Sequence, residues 1–202
     1  MEYRMSRLIV NQIQGDAVNK EIEIPSGHKL KGAAAGGIIQ PGGIIQVQYM
    51  QYTSTMSQAF TANNYQVLNF GNVTITPTST TSKIHLQAHI MYEHGDNNNT
   101  SWNHTWFFWR DSTRLSHADA GSRNCGISMG TLTYYADDSN STPEVVRYDY
   151  FDEPNTTDQV TYKVGYRPYN AESLRINSTY GNADGTGHER GISFMSATEI
   201  SA

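Results

Sequence analysis

Seven histidines, nineteen acidic residues and a single cysteine are the groups through which this chain could move protons or hold a metal. His85 and His89 stand four residues apart in a stretch that reads as one strand, so both fall on the same face. Four strand residues span roughly 13 Å, whereas imidazoles sharing a zinc ion each bond it at about 2 Å. One zinc cannot take both. His94, His104 and His117 are scattered and would have to be gathered by tertiary structure. Cys125 has no partner for a disulfide and no second cysteine for a zinc motif. Asp137-Asp138 and Asp152-Glu153 are the adjacent acid pairs that could share acid and base roles, as in glycoside hydrolysis, but they lie in or beside expected turns, where acids are ordinary. No Gly-x-Ser-x-Gly elbow is present, and nothing around Cys125 suggests a nucleophile. Residues 181–187 lack both the Lys-Ser/Thr ending of a phosphate loop and the spaced acids of a calcium loop. The expectation is no catalytic residue, no metal and no cofactor.

The densest feature is Trp102-Asn103-His104-Thr105-Trp106-Phe107-Phe108-Trp109-Arg110. On an extended strand Trp102, His104, Trp106, Phe108 and Arg110 share one face, with Asn103, Thr105, Phe107 and Trp109 on the other. Both faces are partly apolar, which predicts cover on both sides, by the core and by a neighbouring subunit. The competing reading is a stacking platform for sugar rings. Asn-x-Ser/Thr triplets such as Asn72-Val73-Thr74 and Asn177-Ser178-Thr179 are expected by chance in so Asn- and Thr-rich a chain.

The elements that must position these groups read as strands. Charged residues are 16% of the 202, below the roughly 25% usual in globular chains. Asn, Thr, Ser, Gln and Gly supply the polarity instead, and aromatics reach 11%, a composition that favours strands and turns over helices. Lys83 to Glu93 alternates Ile84, Leu86, Ala88 and Ile90 with His85, Gln87, His89 and Met91, a half-buried strand. Other strand-like runs are Gln46 to Met50, Gln66 to Phe70, Asn72 to Ile75, Trp102 to Arg110, Thr113 to His117, Ile127 to Tyr135, Val145 to Phe151, Val160 to Tyr166, Leu174 to Ser178 and Ile192 to Ile200. Short strands at this spacing, without an amphipathic helix, predict an all-β fold, a jelly-roll-like antiparallel sandwich over residues 44–202. Residues 1–43 carry isolated apolar groups, Leu8, Ile9 and Val10, Ile22 and Ile24, Ile38 and Ile39, among small and polar residues. They cannot build a core alone and suit a short extended attachment or oligomerisation segment.

Net charge is −5, which leaves no basic footprint for nucleic acid. No apolar run is long enough to insert in a membrane, and no secretory leader is legible, so synthesis in a reducing cytoplasm is expected.

Three stretches carry a resemblance. They are Val73-Thr74-Ile75-Thr76-Pro77-Thr78-Ser79-Thr80-Thr81-Ser82-Lys83-Ile84; Phe108-Trp109-Arg110-Asp111-Ser112-Thr113 followed by Gly121-Ser122-Arg123; and Thr161-Tyr162-Lys163-Val164 with Leu174-Arg175-Ile176-Asn177, Arg190-Gly191-Ile192-Ser193 and Ala197-Thr198-Glu199-Ile200. In this order they resemble a module of tail-fibre and other virion-associated proteins of tailed phages, notably marine cyanophages. Ile24-Pro25-Ser26-Gly27-His28-Lys29-Leu30 is similar to segments that precede such heads. The resemblance implies a β-sandwich head, usually trimeric, on a virion, without catalytic residues. The expected function is that of a phage structural protein, a short fibre or fibre-tip subunit that joins other virion proteins through residues 1–43 and touches a host-surface glycan or protein with its head. The alternative is a capsid decoration or cement protein, or a neck or tail adaptor, without receptor binding. Candidate receptor contacts fall in three expected loops: Asp96, Asn99 and Trp102; Tyr135, Asp138 and Asn140; and Asn182, Asp184 and His188.

Overall fold

The computed structural model describes residues 24–28, 40–94, 103–129 and 141–202. The chain divides into two compact units between Ile38 and Ile39. In the first unit Pro25 to His28 form a turn, closed by the His28 N–H donating to the Pro25 carbonyl at 3.0 Å. Ile24, beside it, is exposed. The remaining attachment candidates, Leu8, Ile9, Val10, Ile22, Ile38 and Ile39, lie outside the described residues.

The second unit is the head. It is all-β, with no helix among the described residues, and its strands are β1 (Ile44–Tyr52), β2 (Met56–Phe60), β3 (Gln66–Val67), β4 (Val73–Ile75), β5 (Lys83–His94), β6 (Thr105–Arg110), β7 (Thr113–Leu115), β8 (Glu144–Asp152), β9 (Val160–Arg167), β10 (Glu172–Ile176) and β11 (Ser193–Ile200). Two antiparallel sheets form a sandwich. One runs β1-β11-β5-β10-β2, with β8 on the other edge of β5; the second runs β3-β9-β6-β7, with β4 also on β9. Gly42 and Gly43 belong to the head: the Gly42 N–H donates to the Ser201 carbonyl, and the Ser201 N–H donates to that of Gly43, both at 2.9 Å.

The organising strand is β5. Ile84, Leu86, Ala88 and Ile90 enter the core as the alternation predicts, and His85, Gln87 and His89 face away from it. From Met91 the alternation stops, because Met91, Tyr92 and Glu93 are all buried. Met91, expected outside, is roofed by Gly191, where a β-carbon would run into its side chain. Along one edge β5 pairs first with β11 and then with β10. Asn177 fills the junction between them: its N–H donates to the Met91 carbonyl at 3.0 Å, its amide donates to the Tyr52 and Ser54 carbonyls, and it accepts from the Ser193 hydroxyl at 2.7 Å. Fully buried and saturated, this asparagine is no glycan acceptor.

Strand β6 shows how the sheets meet. Trp106 and Phe108 point into the core, against Tyr92, Tyr166 and Tyr148. Phe107 points the other way and is nonetheless fully buried. Its cover is not a neighbouring subunit, as expected, but this chain: the Tyr65 ring meets it edge-on at 5.2 Å. Gly165 on β9 lies so close that a β-carbon there would overlap the Phe107 ring. The sequence pattern missed these covers because they arrive from remote, irregular segments. A further strip, Ile127-Ser128, bonds to the Trp106 backbone at 2.6–3.1 Å. The predicted strand from Ile127 to Tyr135 is thus a single bridge at Ser128 within the described residues, and the start predicted at Trp102 falls at Thr105. Strand β2 was not foreseen.

Two buried carboxylates brace the head, Asp152 between the sheets and Glu199 between its own sheet and the β4–β5 loop. Asp152 on β8 accepts from the Arg110 guanidinium of β6 at 2.8 and 2.9 Å and from the Tyr162 hydroxyl of β9 at 2.7 Å. Glu199 on β11 accepts from the Gln46 amide, the Thr78 N–H and hydroxyl, and the Ser82 hydroxyl, all at 2.6–2.7 Å.

Candidate functional site

The strands bordering the three nominated loops end together. Tyr92, near the finish of β5, lies opposite Glu144, the first residue of β8, and on its other side opposite Ile176, the last of β10. One sheet edge therefore feeds the chain into residues 95–104, receives it from residues 130–143, and sends it into residues 177–192. Asp96, Asn99, Trp102, Tyr135, Asp138 and Asn140 themselves lie outside the described residues. Asn182, Asp184 and His188 are described, and all three belong to one excursion. Asn182 is held left-handed at φ 45°. The His188 N–H closes a turn onto the Gly185 carbonyl at 3.2 Å, and its ring meets the Thr179 hydroxyl at 3.3 Å. Asn182 and Asp184 are exposed, whereas His188 is half-buried. A bridge between Ser178 and Arg190 pinches the base of the excursion.

Glu93 fastens two of these segments. One carboxylate oxygen accepts from the Thr142 N–H at 2.8 Å and its hydroxyl at 2.9 Å; the other accepts from the Tyr180 N–H at 2.7 Å. The Arg175 guanidinium also lies over the Tyr180 ring, 5.6 Å from its centroid. Buried carboxylates of this kind persist because backbone donors replace the water they have lost.

Beneath the loops lies an aromatic and imidazole cluster. His94 from the end of β5 and His104 from just before β6 approach to 5.1 Å between ring centroids, in contact with Tyr92, Trp106 and Tyr166. Glu172 of β10 meets the His94 Nδ1 at 2.9 Å and accepts from the Tyr166 hydroxyl. Burial, with the Glu144 and Glu172 carboxylates nearby, holds the Tyr92 phenol neutral far above its ordinary range. Tertiary structure thus gathers two of the scattered histidines, but among the described residues no three His, Cys, Asp or Glu side chains are placed to hold a metal ion.

Alongside this cluster is an open pocket of about 520 Å³, lined by Asn103, His104, Thr105, Ser122, Arg123, Asn124, Met129 and Tyr169. Sequence reasoning did not nominate it. The available signal was Tyr169, a large aromatic in the polar turn between β9 and β10, and 52% exposed.

No family model matches the chain, and no curated protein matches it.

Of the acids weighed for catalysis, Asp152 and Glu153 have partners within the fold. Asp152 is filled by Arg110 and Tyr162, and burial together with that bond to Asp152 raises the Tyr162 phenol far above its usual range. Glu153 meets Lys83 at the surface at 3.2 Å; Asp137 and Asp138 lie outside the described residues. His85 and His89 each stack on an aromatic ring. His85 stacks on Phe151 at 4.4 Å and His89 on Phe194 at 5.3 Å, both nearly parallel. His89 also accepts from Arg147 at 2.7 Å, and burial followed by that guanidinium lowers its pKa.

Proposed function

We propose that the chain is a bacteriophage structural protein, a short fibre or fibre-tip subunit. Residues 1–43 join it to other virion proteins, and its head meets a host-surface glycan or protein without catalysis. The observation that carries this reading is the presence of two surfaces on one sandwich: a sheet face bearing exposed Val47, Tyr49, Phe151 and Phe194, and a loop end with a pocket.

The face is the outer side of the six-stranded sheet. Register places Val47, Thr198, His85 and Phe151 in one cross-strand row, Tyr49, Ser196, Gln87 and Asp149 in the next, and Gln51, Phe194, His89 and Arg147 in a third. Val47, Tyr49, Phe151 and Phe194 are 42–76% exposed. So many large apolar groups on contiguous strands mark an association surface. Only one acid and one arginine interrupt these rows, which suits burial against further copies of the same head, each Å² of apolar area contributing roughly 25 cal/mol. A homotrimer formed in this way would leave the loop end free.

Light scattering behind a sizing column tests the assembly: a mass near three times 22.5 kDa is expected. A monomer at micromolar concentration would overturn the trimer. Antibody labelling of intact particles tests the location. Removing residues 1–38, the unit outside the head, should leave a folded protein that no longer incorporates; continued incorporation would refute the anchoring role.

A further inference from the structure

We infer that the pocket formed by Asn103, Arg123 and Tyr169 is a binding site for an acidic sugar residue, such as a uronic acid unit within a polysaccharide. This deepens the host-attachment reading, and rests on it only for the source of the sugar. The volume of about 520 Å³ falls within the range of small-molecule sites, roughly 300–1,000 Å³.

The floor is rigid. His104, just before β6, and Thr105, its first residue, are buried. Asn124 is fixed from two sides: its amide donates to the Asn103 carbonyl, and its oxygen accepts from the Arg167 guanidinium. Arg167 is itself held over the Tyr65 ring at 4.7 Å and donates to the Asn63 carbonyl at 3.3 Å. A wall braced in this way loses little freedom on binding, which is the condition for useful affinity from few contacts.

The rim carries groups the fold does not consume. Arg123 is exposed and spends one weak N–H bond on the Ala120 carbonyl at 3.4 Å, so most of its planar fork is available to a carboxylate. Ser122 and Asn103 add a hydroxyl and an amide, the latter on a residue held left-handed at φ 63°. Tyr169 and Met129, 52% and 59% exposed, belong to the same lining. An exposed aromatic ring beside hydrogen-bonding side chains matches a pyranose, which has an apolar C–H face and a hydroxylated edge. The sign of charge selects among sugars. The described lining holds a guanidinium and no carboxylate, on a chain whose net charge is −5. A guanidinium set locally against the overall charge favours an anionic ligand at short range, where salt screens least.

The test is titration of the full chain with tetragalacturonate and, separately, with its fully methyl-esterified form, read by calorimetry and by saturation transfer from protein to sugar protons. Tighter binding of the acid form is expected, weakened about tenfold or more in Arg123→Ala by loss of a charge-assisted bond. Arg123→Lys should recover only part, and Tyr169→Ala should weaken both probes. Both side chains are exposed, so unchanged thermal midpoints are expected, and Lys83→Ala serves as a distant charge control. Failure of both probes to bind, equal binding of the two, or binding indifferent to Arg123 and Tyr169 would overturn the inference. Absence of the chain from particles, by contrast, would sink the fibre reading and leave the sugar site standing.

Discussion

Replacing Asp152 by alanine should damage the fold severely while replacing its neighbour Glu153 should not. Asp152 sits on β8 at 5% exposure and receives Arg110 and Tyr162 from the opposite sheet. Its removal leaves a guanidinium, its side chain 22% exposed, without a counter-charge, and a buried phenol without an acceptor. Breaking a buried pair by deleting one member costs roughly 3–5 kcal/mol. The partial exposure of Arg110 points to the lower end, about 3 kcal/mol, or about 6–12 °C of melting temperature for a domain of this size. Glu153 forms an exposed pair with Lys83, worth about 0–1 kcal/mol. The assay is thermal and denaturant unfolding at fixed protein concentration, because self-association of any kind would make the midpoint concentration-dependent. A double-mutant cycle with Arg110→Ala isolates the coupling. If Asp152→Ala lost less than about 1 kcal/mol, or the coupling were near zero, the inter-sheet pair would not be a structural tie. An acid retained for chemistry would then become the better explanation of Asp152.

Glu199 predicts the acid limb of stability. Burial alone would raise its pKa, but hydrogen bonds from Gln46, Ser82 and Thr78 outweigh it and hold the carboxyl below its ordinary 4.5. Its contribution is therefore fully present above that value and lost as pH falls through the folded one; Glu199→Gln should be less stable at neutral pH and show a flatter loss on acidification. At alkaline pH the reverse case holds for Tyr92, Tyr148 and Tyr162, whose pKa values are all raised, burial being the largest cause. Their share of stability is lost as pH climbs above 10, and ultraviolet titration should find three phenols silent until the chain unfolds. Gly165→Ala should cost about 1–3 kcal/mol by overpacking against Phe107, partly relieved in combination with Phe107→Leu; a neutral single substitution would refute the close approach. If the proposed oligomer uses the outer sheet face, Phe151→Ser with Phe194→Ser should lower the solution mass while leaving the melting of the single head near that of the parent; an unchanged mass would refute that use of the face.

The sequence made the central sheet legible because a strand buried on one face prints its environment with period two. Ile84 to Ile90 alternate cleanly, and Val146 and Tyr148 do so on the facing β8. Where segments arrive from far along the chain, the code fails. Nothing local announces that Tyr65 and Gly165 will enclose Phe107, or that Gly191 will cover Met91. Met56 to Phe60 carries no clear strand signal because it is an edge strand pairing with β10 alone, with Phe60 its one buried residue. The candidate loops were legible as polar breaks between strands. Their common origin at one sheet edge required the register of β5, β8 and β10. The pocket escaped notice because its lining comes from four separate stretches, none distinctive alone.

Glu93 gives the loop end an unusual kind of freedom. Two of its grips are on main-chain N–H groups, those of Thr142 and Tyr180, and every amino acid except proline offers that group. A clasp written in backbone does not read the sequence it holds. Substitutions at residues 181–187 leave these main-chain grips in place. The loop end is thereby a mount whose tips can change while one buried carboxylate holds the same main-chain stems.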